Sequence, residues 1–123
     1  MKITLENLGE ATPQQVFSQL SSHLLTQGKK SLDRYGNVAK YKNDDGLMCP
    51  GGCLLSINEY HPKVELKTWK QNVELGYLPD QHTTLITAMQ TIHTKYSPKD
   101  WKSAIIRYAE SNKFAFQMKK EIF

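Results

Sequence analysis

Residues 12–28 read TPQQVFSQLSSHLLTQG, and this stretch predicts the first helix of the fold. Thr12 is a typical N-cap, Pro13 suits the first helical position, and Gln15 stands where a capping box requires Glu or Gln. Gly28 suits the position after the last turn because it adopts a positive φ without a Cβ clash. Apolar side chains recur between these ends at helical spacing, namely Val16, Phe17, Leu20, Leu24 and Leu25. We therefore predict a helix over residues 13–27.

Three further helices are predicted from the same kinds of signal. One spans residues 68–75 and is closed by a glycine. A longer one covers about 81–95, with Asp80 as its cap. The last begins at Ser97-Pro98, repeats the start signal of the first helix, and runs over about 98–111. Each carries an apolar stripe that would face a common core.

A short β-hairpin is predicted between the first two helices. Residues 38–42 alternate in period two, residues 43–46 read NDDG and suit a hairpin turn, and residues 47–49 return. Terminal segments 3–6 and 114–119 also alternate and are candidates to extend the hairpin. The sequence thus predicts an α+β fold, mainly α, with about four helices, a small two-stranded β-hairpin and an optional terminal strand.

The composition indicates a single globular domain over residues 1–123. Hydrophobic residues make up 39% of the chain and charged residues 23%, a mixture that can bury one core. No apolar run approaches the roughly 20 residues needed to span a bilayer. The first fifteen residues lack the apolar core of a secretion signal. We expect a cytoplasmic protein with no membrane partner.

Charge is unevenly distributed along the sequence. The formal net charge is +4, which favours solubility but does not define a nucleic-acid binder. Residues 41–66 carry two basic and four acidic residues, Lys42 and Lys63 against Asp44, Asp45, Glu59 and Glu65. Residues 97–123 carry six basic residues against Asp100, Glu110 and Glu121. An acidic hairpin region and a basic C-terminal part are therefore expected.

The two cysteines do not complete a metal or redox motif. Cys49 and Cys53 are separated by three residues, and the four histidines are scattered, whereas a structural zinc needs four ligands, usually in closely spaced pairs. We expect both thiols to be buried where the chain turns. A disulfide and a partial metal site remain the alternatives, and we predict no cofactor and no metal.

No catalytic constellation is evident in the sequence. Asp44 and Asp45 are adjacent and are better explained by turn formation than by paired-carboxylate catalysis. Pro50-Gly51-Gly52 lacks the Lys-Ser/Thr of a phosphate-binding loop. We predict a protein that is not an enzyme and has no catalytic residues.

Four phrases of the sequence resemble a group of small uncharacterised proteins of bacteria and their phages. The phrases are TPQxVF, HLLxQGxxS, DGLxCxxGCL and EY, which begin at Thr12, His23, Asp45 and Glu59. The similarity covers roughly residues 12–108. It implies a bacterial or phage origin and an intact single domain, and it assigns no functional residue.

These observations favour a binding protein, with two alternatives for its partner. The leading prediction is a non-enzymatic protein-binding domain, an immunity protein or inhibitor that blocks a toxin or other effector protein. Its candidate contacts, provided that the tyrosines are exposed, are Tyr41, Asp44, Asp45, Tyr60 and Tyr77. The alternative is a small nucleic-acid-binding regulator that uses the basic C-terminal part, namely Lys99, Lys102, Arg107, Lys113, Lys119 and Lys120.

Overall fold

Four α-helices form the framework of the protein. The computed structural model describes residues 2–116. The helices are α1 (Pro13–Gln27), α2 (Trp69–Glu74), α3 (Thr83–Lys95) and α4 (Trp101–Asn112). Single 3-10 turns lie at Leu8–Glu10, Gly52–Leu54, Pro62–Val64 and Pro98–Asp100. No helix among the described residues has the length and apolarity needed to cross a bilayer.

The core forms where α1, α3 and α4 pack on one another. Each helix contributes the apolar stripe read from its sequence, and complete burial of one such side chain stabilises the fold by about 1.5–3 kcal/mol. Phe17 of α1 also stacks on Phe114, beyond the end of α4, with ring centroids 4.8 Å apart. The largest fully buried side chains include Phe17, Leu20, Leu24, Ile86, Met89, Trp69, Trp101 and Ile105.

Helix α1 confirms the sequence prediction at both ends. The Thr12 side chain accepts a hydrogen bond from the Gln15 amide, and the Gln15 side chain accepts one from the Thr12 amide. Gly28 ends the helix with φ +67°. Helix α2 has the same capping box, with Thr68 as N-cap and Gln71 as its partner.

The start predicted for α3 is wrong by two residues. Asp80 does not cap the helix, since its carboxylate accepts a hydrogen bond from the Thr83 hydroxyl at 2.7 Å. The N-cap is His82, which has φ +57°, and its ring bonds the Ala11 carbonyl. A tertiary contact therefore fixes where this helix begins.

The predicted β-hairpin is not formed, and the described chain is all-helical. Only two isolated antiparallel bridges join the segment between α1 and α2 to itself, at Leu32–Ala39 and Lys42–Met48. Side chains take the backbone groups that a strand ladder would use. The Glu65 carboxylate accepts the amides of Tyr41 and Lys42, and Gln27 binds both the amide and the carbonyl of Met48. The correct class is therefore α with long ordered loops.

The predicted terminal strands are also absent from the described residues. Residues 3–6 enter a turn in which Gln19 bonds the backbone of Ile3 and Glu59 accepts the amides of Leu5 and Glu6. Residues 114–116 lie against α1 without pairing to a strand, and Gln14 bonds both backbone groups of Ala115. The remainder of the predicted C-terminal strand, 117–119, lies outside the described residues.

Candidate functional site

A cleft between α2 and α3 is lined by two residues, Trp69 and His93, whose rings each carry a buried nitrogen without a hydrogen-bond partner. Its volume is about 380 Å³, and the segment 38–41 forms a third wall. We call it the α2–α3 cleft. The residues that define it here are Val38, Lys40, Tyr41, Leu66, Lys67, Trp69, Gln90 and His93.

His93 contributes a buried hydrogen-bond donor without an acceptor. The Ser31 amide donates to its Nε2 at 2.9 Å, so Nε2 must be unprotonated. Burial lowers the pKa of His93 to about 4, with the Lys30 charge as a further cause, and the neutral ring then carries its proton on Nδ1. That Nδ1 is buried and has no hydrogen-bond partner.

Trp69 contributes a second donor of the same kind. Its indole is almost fully buried, and its Nε1 has no partner. Behind the cleft, the Asn72 amide donates to the Tyr41 hydroxyl and to two backbone carbonyls, while its Oδ1 is left without a donor. Buried polar groups are nearly always hydrogen-bonded. Within residues 2–116, three of the four unpartnered buried side-chain atoms thus belong to residues of this cleft or of the layer behind it.

The rim of the cleft is apolar and strained. Leu66 has φ +64° and is 76% exposed, although a bulky residue in the left-handed region costs about 1–2 kcal/mol. Its neighbours hold it there, since the preceding Glu65 is bonded to Tyr41, Lys42 and Tyr60 and the following segment enters the capping box of α2. Backbone strain of this kind often marks functional sites.

Two exposed turns lie beside the cleft, and we refer to them together as the double turn (residues 33–38 and 43–47). Each is fixed by an Asx side chain, because Asp33 accepts the amides of Asn37 and Val38 and Asn43 accepts those of Asp45 and Leu47. The Asn43 amide also bonds the Leu32 carbonyl, which holds the turns together. Their tips present Tyr35, Asp44 and Asp45 to solvent.

The predicted protein-binding residues divide between the surface and the core. Asp44 and Asp45 are exposed at the double turn. Tyr41 is 3% exposed, and its hydroxyl donates to the Lys67 carbonyl, so it does not meet the condition of exposure. Tyr60 is half-buried with its hydroxyl on Glu65. Tyr77 is partly exposed and lies 4.4 Å from the Lys63 ammonium.

Only two of the four acidic residues in the segment 41–66 are exposed at the surface. Glu65 is buried and its carboxylate accepts three hydrogen bonds. Glu59 accepts the amides of Leu5, Glu6 and Ser56. These two carboxylates organise loops, which leaves Asp44 and Asp45 as the exposed acids of this region.

The predicted nucleic-acid-binding residues lie at α4. Lys99, Lys102, Arg107 and Lys113 are exposed, and Lys119 and Lys120 lie outside the described residues. The neighbouring aromatics are not free to stack on bases. Trp101 is fully buried with its indole N–H on the Tyr96 carbonyl, and Tyr108 packs near Phe17.

The two cysteines are buried free thiols, which confirms the predicted packing. Burial raises the pKa of Cys49 to about 12 and that of Cys53 to about 11, so neither is a thiolate near neutral pH. Among the described residues, no group of three His, Cys, Asp or Glu side chains is placed to hold a metal ion.

A larger groove of about 1060 Å³ follows the polar face of α1. Its most prominent polar side chains are already engaged with backbone, since Gln14, Gln19 and Gln27 bond Ala115, Ile3 and Met48 and His23 bonds the Met48 carbonyl. The groove therefore offers fewer unpartnered groups than the α2–α3 cleft does.

Comparison of the chain with protein-family models, with curated proteins and with solved structures gives no significant match. The resemblance to the bacterial and phage group stays a prediction from the sequence.

Sequence reasoning missed Tyr35, Leu66, Trp69 and His93 as site residues. Tyr35 was detectable, because it precedes the Gly36-Asn37 turn signal and a turn tip is exposed. Trp69 and His93 were not, because apolar spacing places both on core faces of helices. Their unpartnered N–H groups depend on contacts between segments that are distant in sequence.

Proposed function

We propose that this protein is a non-catalytic domain that binds another protein through the double turn. The observation that carries the proposal is the combination, on one side-chain-braced surface, of Tyr35, which is 70% exposed, with the two acids Asp44 and Asp45. Exposed aromatic side chains on rigid loops make effective interface anchors because little conformational entropy is lost on binding. Neighbouring carboxylates favour a basic partner surface and speed encounter.

The finer proposal is an immunity protein or inhibitor that occludes the active site of a toxin or other effector. A small domain with projecting, braced turns suits insertion into a cleft. The acids at the tip suit a cleft that is basic, as in enzymes acting on polyanions.

Capture experiments with matched variants test the proposal. The bait proteins are the wild type, the variant Tyr35→Ala/Asp44→Asn/Asp45→Asn, and the control Leu75→Ala/Glu74→Gln/Glu110→Gln. The control also removes one exposed apolar side chain and two exposed acids, but from α4 and the end of α2. We expect one protein to be retained by the wild type and the control, with at least tenfold weaker binding to the double-turn variant.

The captured protein then decides the finer proposal. Purified partner should lose its activity when one equivalent of the wild type is added, and should keep it with the double-turn variant. Equal retention by all three baits would rule out the double turn as the binding surface. A partner bound without loss of activity would rule out inhibition.

A further inference from the structure

We propose that the hydrogen bond between Ser31 and His93 is a pH-sensitive switch, which holds the first turn of the double turn (residues 33–38) to α3 near neutral pH and releases it in acid. Tyr35 of this turn lines one small depression with Asp44 of the second turn. Release would separate the two side chains and weaken partner binding, a consequence that rests on the proposed function. The release itself needs no partner, so failure of the switch and failure of the proposed function are distinguishable.

The loop that leads from α1 into the first turn has one buried anchor. Ser31 is fully buried, and it is the only buried residue in the range 25–40. Its amide donates to Nε2 of His93 at 2.9 Å, its hydroxyl donates to the Leu47 carbonyl, and its carbonyl accepts the Lys40 amide. One residue thereby joins both ends of the first turn and the second turn to α3.

A proton on Nε2 of His93 is incompatible with this anchor. Neutral imidazole accepts a hydrogen bond through one nitrogen, whereas imidazolium carries N–H on both nitrogens and accepts through neither. With Ser31 in place, the protonated ring would direct its Nε2–H at the Ser31 N–H, so that a hydrogen bond becomes a contact between two donors. Protonated His93 and the bond from the Ser31 amide therefore exclude each other.

The charges that act on His93 also oppose the imidazolium. Burial lowers the pKa of His93 to about 4, and the positive charges of Lys30 and of His23 act in the same direction. Lys30 immediately precedes the anchor, and His23 lies on α1. The ring is thus held neutral as long as the anchor stays in place.

The other elements around His93 supply no counter-charge. From α4 the neutral ring of Trp101 stacks on His93, with ring centroids 5.7 Å apart. The residues of α2 that line the α2–α3 cleft, Trp69 and Gln71, are also neutral. Among the described residues of that cleft, the other ionisable side chains are Lys40, Tyr41, Cys49 and Lys67. None of these is an anion near neutral pH, so an imidazolium finds no ion-pair partner there.

Release removes the conflict. When Ser31 moves away, Nε2 of His93 meets water and the pKa of the ring returns toward 6.5. The released state therefore takes up the proton first, and its equilibrium constant rises by up to about tenfold per pH unit as the pH falls from 6.5 to 4. The other contact of this loop with α3, from the Lys30 ammonium to the Thr94 carbonyl, is exposed, where water competes for it.

The second histidine near the loop does not act as a switch of this kind. Nε2 of His23 bonds the Met48 carbonyl at 2.7 Å, and a carbonyl can only accept, so this nitrogen carries a proton in the bond. Protonation of the other nitrogen leaves that bond intact. Of these two histidines, only His93 loses its backbone partner in acid.

Hydrogen exchange of backbone amides measures the release directly. The probe amides are those of Ser31, Asp33 and Lys40, which are hydrogen-bonded within the loop or to α3. The reference amides lie in the centre of α1. Between pH 7 and pH 5, after correction for the intrinsic pH dependence of exchange, the protection factors of the probes should fall about tenfold or more relative to the references.

Two variants assign the effect to one ring. His93→Gln keeps an acceptor for the Ser31 amide but does not titrate, so its probes should lose no protection relative to the references. His61→Gln is the matched control, because His61 is exposed and outside the loop, and it should behave as the wild type. If His93→Gln does not fold, NMR of the His93 ring nitrogens in the wild type replaces it. Their protonation should begin in the same pH range as the loss of protection at Ser31.

Three results would overturn the switch. Equal loss of protection in the probes and in α1 would mean that acid unfolds the whole protein. Constant protection of the probes between pH 7 and pH 4 would mean that the loop stays anchored. An unchanged pH dependence in His93→Gln would assign the effect to another group. A release that passes these tests stands even if no partner is found for the double turn.

Discussion

At the scale of single residues, the segment between α1 and α2 is held by a few close contacts. Gly52 brings the turn that follows Cys49 against the backbone of Tyr41, and Gly51 lies against the rings of Tyr41 and Trp69. A Cβ at Gly52 would lie 1.9 Å from the Tyr41 carbonyl oxygen, and backbone cannot yield as a flexible side chain can. Tyr41 in turn bonds Glu65 and Lys67. Small changes at these positions therefore act on the whole loop region.

Gly52→Ala should destabilise the fold by about 3 kcal/mol, toward the upper end for overpacked sites. Gly28→Ala is the matched control, since its added Cβ meets nothing within 4 Å and only its φ of +67° is strained, which costs about 1 kcal/mol. Urea unfolding followed by circular dichroism measures both. Similar losses in the two variants would show that the close approach to Tyr41 is not needed.

The buried His93 makes stability depend on pH. Its pKa is about 4 in the folded protein against 6.5 in the unfolded chain, so the unfolded chain takes up the proton first as pH falls. The stability from this group is complete above pH 6.5 and declines between pH 6.5 and 4, by about 1.4 kcal/mol per pH unit and about 3 kcal/mol in total. Burial also lowers the pKa of His23, which acts in the same direction.

His93→Gln tests this dependence, because glutamine can accept the Ser31 amide but does not titrate. The free energy of unfolding should fall less steeply for the variant than for the wild type between pH 6.5 and 4, and the two curves should run parallel above pH 7. An identical slope in both proteins would mean that His93 is not the responsible group.

At the scale of elements, α1 organises the non-helical parts of the chain. Its glutamines act as backbone mimics, each offering one acceptor and one donor to a peptide unit. Gln14, Gln19 and Gln27 bond both backbone groups of Ala115, Ile3 and Met48, respectively. One helix thereby fixes three segments that would otherwise need strand partners.

Gln19→Leu should release the N-terminal segment from α1. It removes two hydrogen bonds to Ile3, of 2.7 and 2.8 Å, and should cost about 1–3 kcal/mol. Hydrogen exchange at the Ile3 amide should speed up by tenfold or more, with little change in the centre of α3. Ser22→Ala, on the exposed face of the same helix, serves as the control. An equal rise in the exchange rate of the Ile3 amide in this variant would show that the Gln19 side chain does not hold the N-terminal segment.

The same contacts explain what the sequence could and could not predict about the elements. Helix α1 was predictable to the residue, because its caps and its apolar stripe are local. The alternation at 38–42 and the turn at 43–46 are genuine local signals of a hairpin. The prediction was nevertheless wrong, because contacts from distant residues override them. Glu65 and Gln27, distant in sequence, then bind the backbone groups that a ladder requires. Nothing in the neighbouring sequence distinguishes a glutamate that accepts backbone amides, such as Glu65, from a solvent-exposed one.

At the scale of the whole molecule, surface charge differs from the charge counted along the chain. Glu59 and Glu65 are engaged internally, so the acidic region contracts to the tip of the double turn. The basic residues near α4 are exposed, but the aromatics beside them are in the core. Of the proposed protein-binding surface, the sequence predicted Asp44 and Asp45, because turn residues are usually exposed. The α2–α3 cleft was not predictable, because it forms between segments about 16 to 56 residues apart, namely 38–41, 66–71 and 87–94.

Any binding of duplex DNA should be electrostatic and without sequence preference. Six basic residues near α4 and beyond it give a slope of log affinity against log salt no steeper than about −5. A gel-shift series from 50 to 200 mM salt, on two unrelated duplexes, measures it. Tight binding that survives 200 mM salt and distinguishes the duplexes would favour the regulator over the protein-binding domain.

The hydrogen bonds from side chains to the backbone also affect whether a second copy of the chain can pair with the non-helical segments. A sheet protein must protect its outermost strand, whose unpaired amides and carbonyls are a template for joining another chain. In residues 2–116, individual backbone groups of the non-helical segments are bonded by glutamine, glutamate and histidine side chains. Among the described residues no strand longer than an isolated bridge is formed, and these side chains occupy part of the backbone to which a second copy could otherwise pair.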